Sequence, residues 1–174
     1  IDISQARIDA ILKLDVDVLD RDRMRLRAAL DGDRFRLVSD LAVLRSADTI
    51  VICVPTPVDD HRAPDLGALE SACATVVENA VPGQLLLLTS TTYVGCTKDF
   101  LIEPLRRRGL VPGRDIAVAF SPERIDPANE RFPADRVPRV VGGTTASCSE
   151  RASQVVSTIA GDVHVVSSAE AAEM

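Results

Sequence analysis

The chain reads as an α/β protein built on a doubly wound, mostly parallel sheet. Three observations carry that reading. Short unbroken apolar runs recur, as in Ile50-Val51-Ile52-Cys53-Val54, Leu85-Leu86-Leu87-Leu88 and Ile116-Ala117-Val118-Ala119-Phe120. Runs of this length and composition mark strands buried on both faces. Segments of helical period lie between them, and Gly or Pro punctuates the junctions, Pro82-Gly83, Gly109 and Gly161 among them. Strand and helix in alternation imply a parallel sheet with helices on both sides.

The elements follow in order. Ile1-Asp2-Ile3 reads as the tail of a strand, and Ser4 as the cap of a helix carrying Ile8, Ile11 and Leu12 on one face. A short helix is expected over 24–30, closed by Gly32, and a short strand over 35–38. The strand at 50–54 comes next. Asp65 is placed to cap a helix whose Leu66, Leu69, Cys73, Val76, Val77 and Ala80 hold one face. The strand at 85–88 leads to a helix over 97–108, kinked at Pro104 and stopped by Gly109. After the strand at 116–120, a short strand is expected at 139–141. Ser147 and Glu150 have capping-box spacing before a helix bearing Val155, Val156 and Ile159, and 163–166 reads as a last strand.

Totals narrow the function. The 174 residues are 46% apolar and 26% charged, with a net charge of -6, which gives no help in binding nucleic acid or an anionic membrane. No apolar run approaches the length of a membrane span, and no signal peptide is visible. Four widely spaced cysteines, Cys53, Cys73, Cys96 and Cys148, favour reduced thiols in a cytoplasm over a disulfide or metal framework. No metal is expected. His61, in a polar loop with Asp59 and Asp60, reads as solvated, as do the cations at 106–108 at a helix end. The chain opens without Met and stops at Ala-Glu-Met, so both ends read as cut.

In sheets of this kind ligands sit beyond the carboxyl ends of the strands, so the strand exits are the candidate site. Asp2 is either a turn residue or an acceptor for both ribose hydroxyls of a dinucleotide, where it would repel a 2′-phosphate and favour NAD over NADP. Pro55-Thr56-Pro57 makes a stiff turn that leaves a hydroxyl and carbonyls for a ligand, unless it is only a tight loop. Residues 89–92 supply four successive hydroxyls, more than helix capping needs. At Ser121-Pro122-Glu123-Arg124 a carboxylate could hold a water or act as a base. Arg124 could pair with it, or with an anionic ligand.

These stretches together resemble the UDP-glucose/GDP-mannose dehydrogenase family, the nucleotide-sugar 6-dehydrogenases, and most of all its UDP-N-acetyl-hexosamine branch. The resemblance is carried by "IDIS" with "RIDAI", "ADTIVICVPTPVDDHRAPDL", "PGQLLLLTSTTYVGCT", "AFSPERIDPANERF", "PRVVGGTT" and "VSSAEAAEM", in the family's order over nearly the whole chain. It implies a Rossmann-like fold over 1–174, an incomplete NAD-binding domain whose first strand and glycine-rich loop belong before Ile1. It implies oxidation of a sugar C6 alcohol to a uronic acid, with two hydride transfers to NAD, for polysaccharide biosynthesis. Asp2 would hold the adenosine ribose. Pro55, Thr56, Ser90 and Thr91 would line the cofactor, and Thr91 and Glu123 would serve catalysis, Glu123 by assisting hydrolysis of a covalent intermediate. Glu123 and Arg124 would face the substrate. A catalytic lysine just past Met174 and a nucleophilic cysteine in a later domain are implied, with a homo-oligomer at full length. Val94 stands where the family commonly has Pro, and Ala128 where it has Gly. The chain alone is then expected to be inactive, to be unstable or associate, and to bind NAD poorly. Two rival readings stay open at this point: a nonenzymatic remnant kept for binding or assembly, and another NAD-dependent hydroxyacid dehydrogenase.

Overall fold

The computed structural model describes residues 1–58, 64–124 and 137–174. His61, Pro127 and Ala128 lie outside the described residues. The chain divides into two compact units, Ile1–Val43 and Leu44–Met174.

The first unit holds helices α1 (Gln5–Leu12) and α2 (Asp20–Leu30). Ser4 caps α1 as expected, its hydroxyl accepting from the Arg7 N–H at 3.3 Å. α2 begins earlier than its apolar residues suggest, because Asp20 and Asp22 in its first turn and Arg27 in its last complement the helix dipole. Arg23 ties α2 to the connection that follows α1 by donating to the carbonyls of Leu14 and Val16. The strands expected at 1–3 and 35–38 do not form. One backbone bond, Asp2 N to Val38 O at 3.1 Å, joins the two segments. Ile3 stays 86% exposed and Phe35 40% exposed, so neither segment buries the face that would hold it as a strand.

The second unit is one five-stranded sheet in the order β1-β2-β3-β4-β5, with β1 Thr49–Ile52, β2 Leu85–Leu88, β3 Ala117–Phe120, β4 Arg139–Gly143 and β5 Val163–Val165. β1, β2 and β3 are parallel. β4 runs antiparallel to β3, and β5 parallel to β4. Side chains alternate between the faces. Leu85, Leu87, Ala117 and Ala119 pack with Val141 against Cys148, Ala152 and Val156 of α5 (Ala146–Val156). The other face carries Leu86, Leu88, Val118 and Phe120, all buried. α3 (Gly67–Asn79) lies against β1 and buries the Leu69, Cys73, Val76 and Val77 stripe expected of it. With both faces covered, β2 and β3 can be apolar at every position.

Three local details differ from expectation for physical reasons. The helix expected at 97–108 is not uniformly α-helical. It runs as a π-helical turn, Lys98–Ile102, followed by α4, Glu103–Arg107, with Pro104 in the first turn of α4 where its missing N–H costs little. Thr145, not Ser147, caps α5, accepting from Cys148 N. Of the cations at 106–108, Arg108 caps another helix: its guanidinium donates to the Val77 and Ala80 carbonyls at the end of α3. Gln84, buried just before β2, donates to the Leu44 and Ala47 carbonyls at 2.7 Å each and accepts from Val81 N. It fixes the start of β2 beside the turn that leads into β1. A final helix, α6 (Ala169–Glu173), is capped by Ser168 and packs on β3 and β4. Among the described residues no helix is long and apolar enough to cross a membrane.

Candidate active site

The parallel register sets the site. Thr49 pairs with Leu85 and Leu85 with Ala117, so β1, β2 and β3 end level at Ile52, Leu88 and Phe120. Their exits therefore lie side by side. Cross-ties continue past the ladders. Thr89 sends both its N–H and its hydroxyl to the Ile52 carbonyl, at 2.9 and 3.0 Å. Ser90 Oγ donates to the Val54 carbonyl at 2.9 Å, and Ser121 N to Leu88 O at 2.9 Å. Ser90 and Ser121 are buried. The run of hydroxyls at 89–92 thus divides by task. Thr89 and Ser90 spend theirs binding the β2 exit to the β1 exit, while Thr91 is exposed. Ser90 faces inward and holds the turn that presents Thr91. Pro55 is exposed and Thr56 half-buried at the neighbouring exit.

At the β3 exit Pro122 is buried, and Glu123 and Arg124 are exposed. The sequence offered Arg124 as a partner for Glu123. The structure adds one that the sequence reading treated only as strand: Arg139 of β4, whose Nη1 lies 2.6 Å from Glu123 Oε1. The antiparallel pairing of β4 with β3 brings it there. Its side chain is 7% exposed and that of Glu123 50%. A desolvated guanidinium thus grips one oxygen of a carboxylate that still reaches water. Charge-assisted pairs of this kind fix orientation as well as adding energy. Arg139 Nε is buried without a hydrogen-bond partner. A carboxylate that is held in this way and half exposed can bind and polarise a water.

The turn after Thr91 is closed by a second residue that the sequence reading passed over. Glu173, in α6, accepts from Gly95 N at 2.5 Å, from Thr97 N at 2.8 Å and from Thr97 Oγ1 at 2.5 Å. Nothing in one sequence flags a contact spanning 76 residues. Tyr93 Oη donates to Asp99 Oδ2 at 2.8 Å within the same turn.

Asp2 belongs to the first unit. It sits in the turn that enters α1, accepting from Ser4 N at 2.8 Å and lying 3.4 Å from Arg7 Nε. This is the turn role that the sequence left open beside ribose binding. A carboxylate offers about four lone-pair sites. Two contacts leave room for a ribose diol, and the side chain is 30% exposed. The residue fits a dinucleotide in that respect.

The cysteines divide cleanly. Cys73, Cys96 and Cys148 are buried, and Cys53 is exposed at the β1 exit, not packed within a strand as the sequence suggested. The ladder stops at Ile52, which leaves Cys53 in the open loop. Burial pushes the Cys73 thiol up to about 12, and burial first, then the Glu173 and Asp99 charges, raises Cys96 against a lowering bond from Thr92. At Cys148 burial raises the thiol, but hydrogen bonds from Thr144 and Thr145 outweigh it and the net shift is downward. Inaccessibility still protects it. Peptide mapping of the native protein after brief exposure to a thiol reagent should therefore find Cys53 labelled and Cys73, Cys96 and Cys148 protected. Rapid labelling of any of those three would overturn this burial pattern.

Comparison with known proteins adds the family. The family model described as UDP-glucose/GDP-mannose dehydrogenase family, NAD binding domain, matches residues 1–160. The chain belongs to this family. Protein CapL of Staphylococcus aureus is 33% identical over 99% of the chain and 40% of its own length. UDP-N-acetyl-D-mannosamine dehydrogenase of Escherichia coli K12 is 31% identical over 100% of the chain and 43% of its own length. The solved UDP-D-ManNAc dehydrogenase of Pyrococcus horikoshii superposes with a TM-score of 0.88 at 26% identity, over 99% of the chain and 41% of that structure. The chain thus spans about two fifths of the relatives it matches. In this dehydrogenase family the matched region is the NAD-binding domain, consistent with a mostly parallel sheet whose exits lie level.

Proposed function

We propose that the chain forms the NAD-binding part of a nucleotide-sugar 6-dehydrogenase. Its substrate is a UDP-N-acetyl-hexosamine or UDP-glucose, oxidised at C6 to the uronic acid. The observation that carries this reading is the pair of exposed groups, Thr91 and Glu123, on adjacent parallel-strand exits braced by buried Ser90 and Ser121. Relatives named as UDP-N-acetyl-hexosamine dehydrogenases support the substrate class.

Bound NAD would supply the hydride acceptor for the sugar carbon. The chain's own residues do the rest of what is proposed for this domain. Asp2 accepts hydrogen bonds from the adenosine ribose. Pro55 and Thr56 line the cofactor with a stiff, hydroxyl-bearing exit. Thr91 orients the reacting group and a water. Glu123, aimed by Arg139, takes the proton of that water as the covalent intermediate is hydrolysed. Arg124 faces the anionic substrate. We place the protein in the cytoplasm as a homo-oligomer, in the supply of uronic acids for polysaccharides.

The test is stoichiometric. The full product of the gene is incubated with NAD and, in turn, UDP-N-acetylglucosamine, UDP-N-acetylmannosamine and UDP-glucose. Two NADH per sugar consumed are expected with one of them. A yield of one NADH would point to a simple alcohol dehydrogenase, and no yield with any of the three would overturn the proposal.

A further inference from the structure

We infer that Glu173 is a positioning residue for the chemistry at Thr91, latching the loop that carries it. The inference rests on the reading of Thr91 given above.

Glu173 lies in α6, the last helix described. Its carboxylate is offset by donors from elsewhere in the chain: Gly95 N, Thr97 N and Thr97 Oγ1. Those donors sit at the first turn of the helical run over 96–107, where a negative charge is favoured. Gly95 has a φ of +102°, a conformation that suits glycine and turns its N–H toward the carboxylate. Thr97 is 1% exposed, so its hydroxyl has no water to turn to.

The latch has a fixed base. Ser168 caps α6, Ala169 and Ala172 are buried, and Gly142 of β4 lets the Ser168 carbonyl approach closely. On its other side the loop is pinned by Ser90 Oγ on the Val54 carbonyl. Thr91 lies between these two anchors, and is exposed. Removing Glu173 frees one anchor and leaves the other, so Thr91 shifts without loss of the sheet. Misplacement of a reacting group by about 1 Å costs about 10²-fold in rate.

In the full gene product, Glu173→Ala should lower kcat about 10²-fold, with KM for NAD and nucleotide sugar within about threefold. Glu173→Gln keeps a carbonyl acceptor and should recover about tenfold of that loss. Thr97→Val added to Glu173→Ala should cost little more, because the contact that its hydroxyl makes is already lost in Glu173→Ala. Amide exchange at Gly95 and Thr97 should rise at least about tenfold in Glu173→Ala, while β2 and β3 stay protected. Native kcat in Glu173→Ala overturns the inference. So does a kcat loss in both variants accompanied by faster exchange throughout β2 and β3, since that is a structural role. Failure of the underlying reading is a separate result: the native protein then yields no NADH, whatever stands at position 173.

Discussion

Replacing Glu123 by Gln in the full gene product is expected to lower steady-state turnover by about 10²–10⁴-fold, the range that a positioned general base contributes. Gln keeps the size of the side chain and one oxygen for Arg139, so the fold should survive. Glu123→Ala is the poorer probe. It would strip the guanidinium of its partner, and a buried unpaired charge costs about 3–5 kcal/mol. Arg139 is 7% exposed, so much of that penalty would apply to it, although Glu123 itself is half in water. The Gln variant also tells which step depends on the carboxylate. If Glu123 serves hydrolysis of the covalent intermediate, NADH should appear in a rapid burst before the slow steady state. Loss of the burst together with the steady state would assign Glu123 to an earlier step. Turnover within about threefold of native would remove it from the chemistry.

The sheet and the site were legible to different depths. β1, β2 and β3 are readable because burial on both faces leaves an unbroken apolar run, as in Leu85-Leu86-Leu87-Leu88, that few other structures would tolerate. The exits follow at once, since a parallel register ends its strands level and fixes which residues come next. Apolar content alone misleads at 1–3 and 35–38, because a strand needs a paired edge and a covered face, and Ile3 has neither. Capping misleads by a residue or two where several hydroxyls compete. Thr145 wins over Ser147 because its own backbone is extended, with φ -143° and ψ 166°, as a cap requires. The least legible features are long-range polar contacts. Arg139 on Glu123 and Glu173 on Gly95 and Thr97 depend on how the chain returns after β3 and β4, which local pattern does not encode. The sequence therefore points to the exposed groups proposed for the chemistry, and the fold supplies the groups that hold their loops in place.

Gly142→Ala is expected to be the most damaging single methyl addition near the site, at about 3 kcal/mol, the upper part of the usual overpacking range. A β-carbon there would lie 1.9 Å from the Ser168 carbonyl oxygen, 2.6 Å from its carbon and 3.0 Å from Ala172 Cβ. Two of these atoms are backbone, and they belong to the cap that starts α6. No rotamer change relieves the clash, so β4 and α6 must move apart. Entropy lost by the unfolded chain returns only about 0.4–1 kcal/mol, too little to offset it. For a protein of this size the melting temperature should fall by about 6–12 °C. Gly32→Ala is the control. Its β-carbon would meet only the Ala29 and Ala28 carbonyl oxygens, at the ordinary contact distances of 3.5 and 3.7 Å. It should change stability by less than about 0.5 kcal/mol, as exposed sites usually do. Because α6 carries Glu173, Gly142→Ala should also loosen the turn at Gly95 and Thr97, raising amide exchange there more than its overall destabilisation accounts for. A variant that melts like native, with those amides still protected, would show that β4 and α6 are not packed through this glycine.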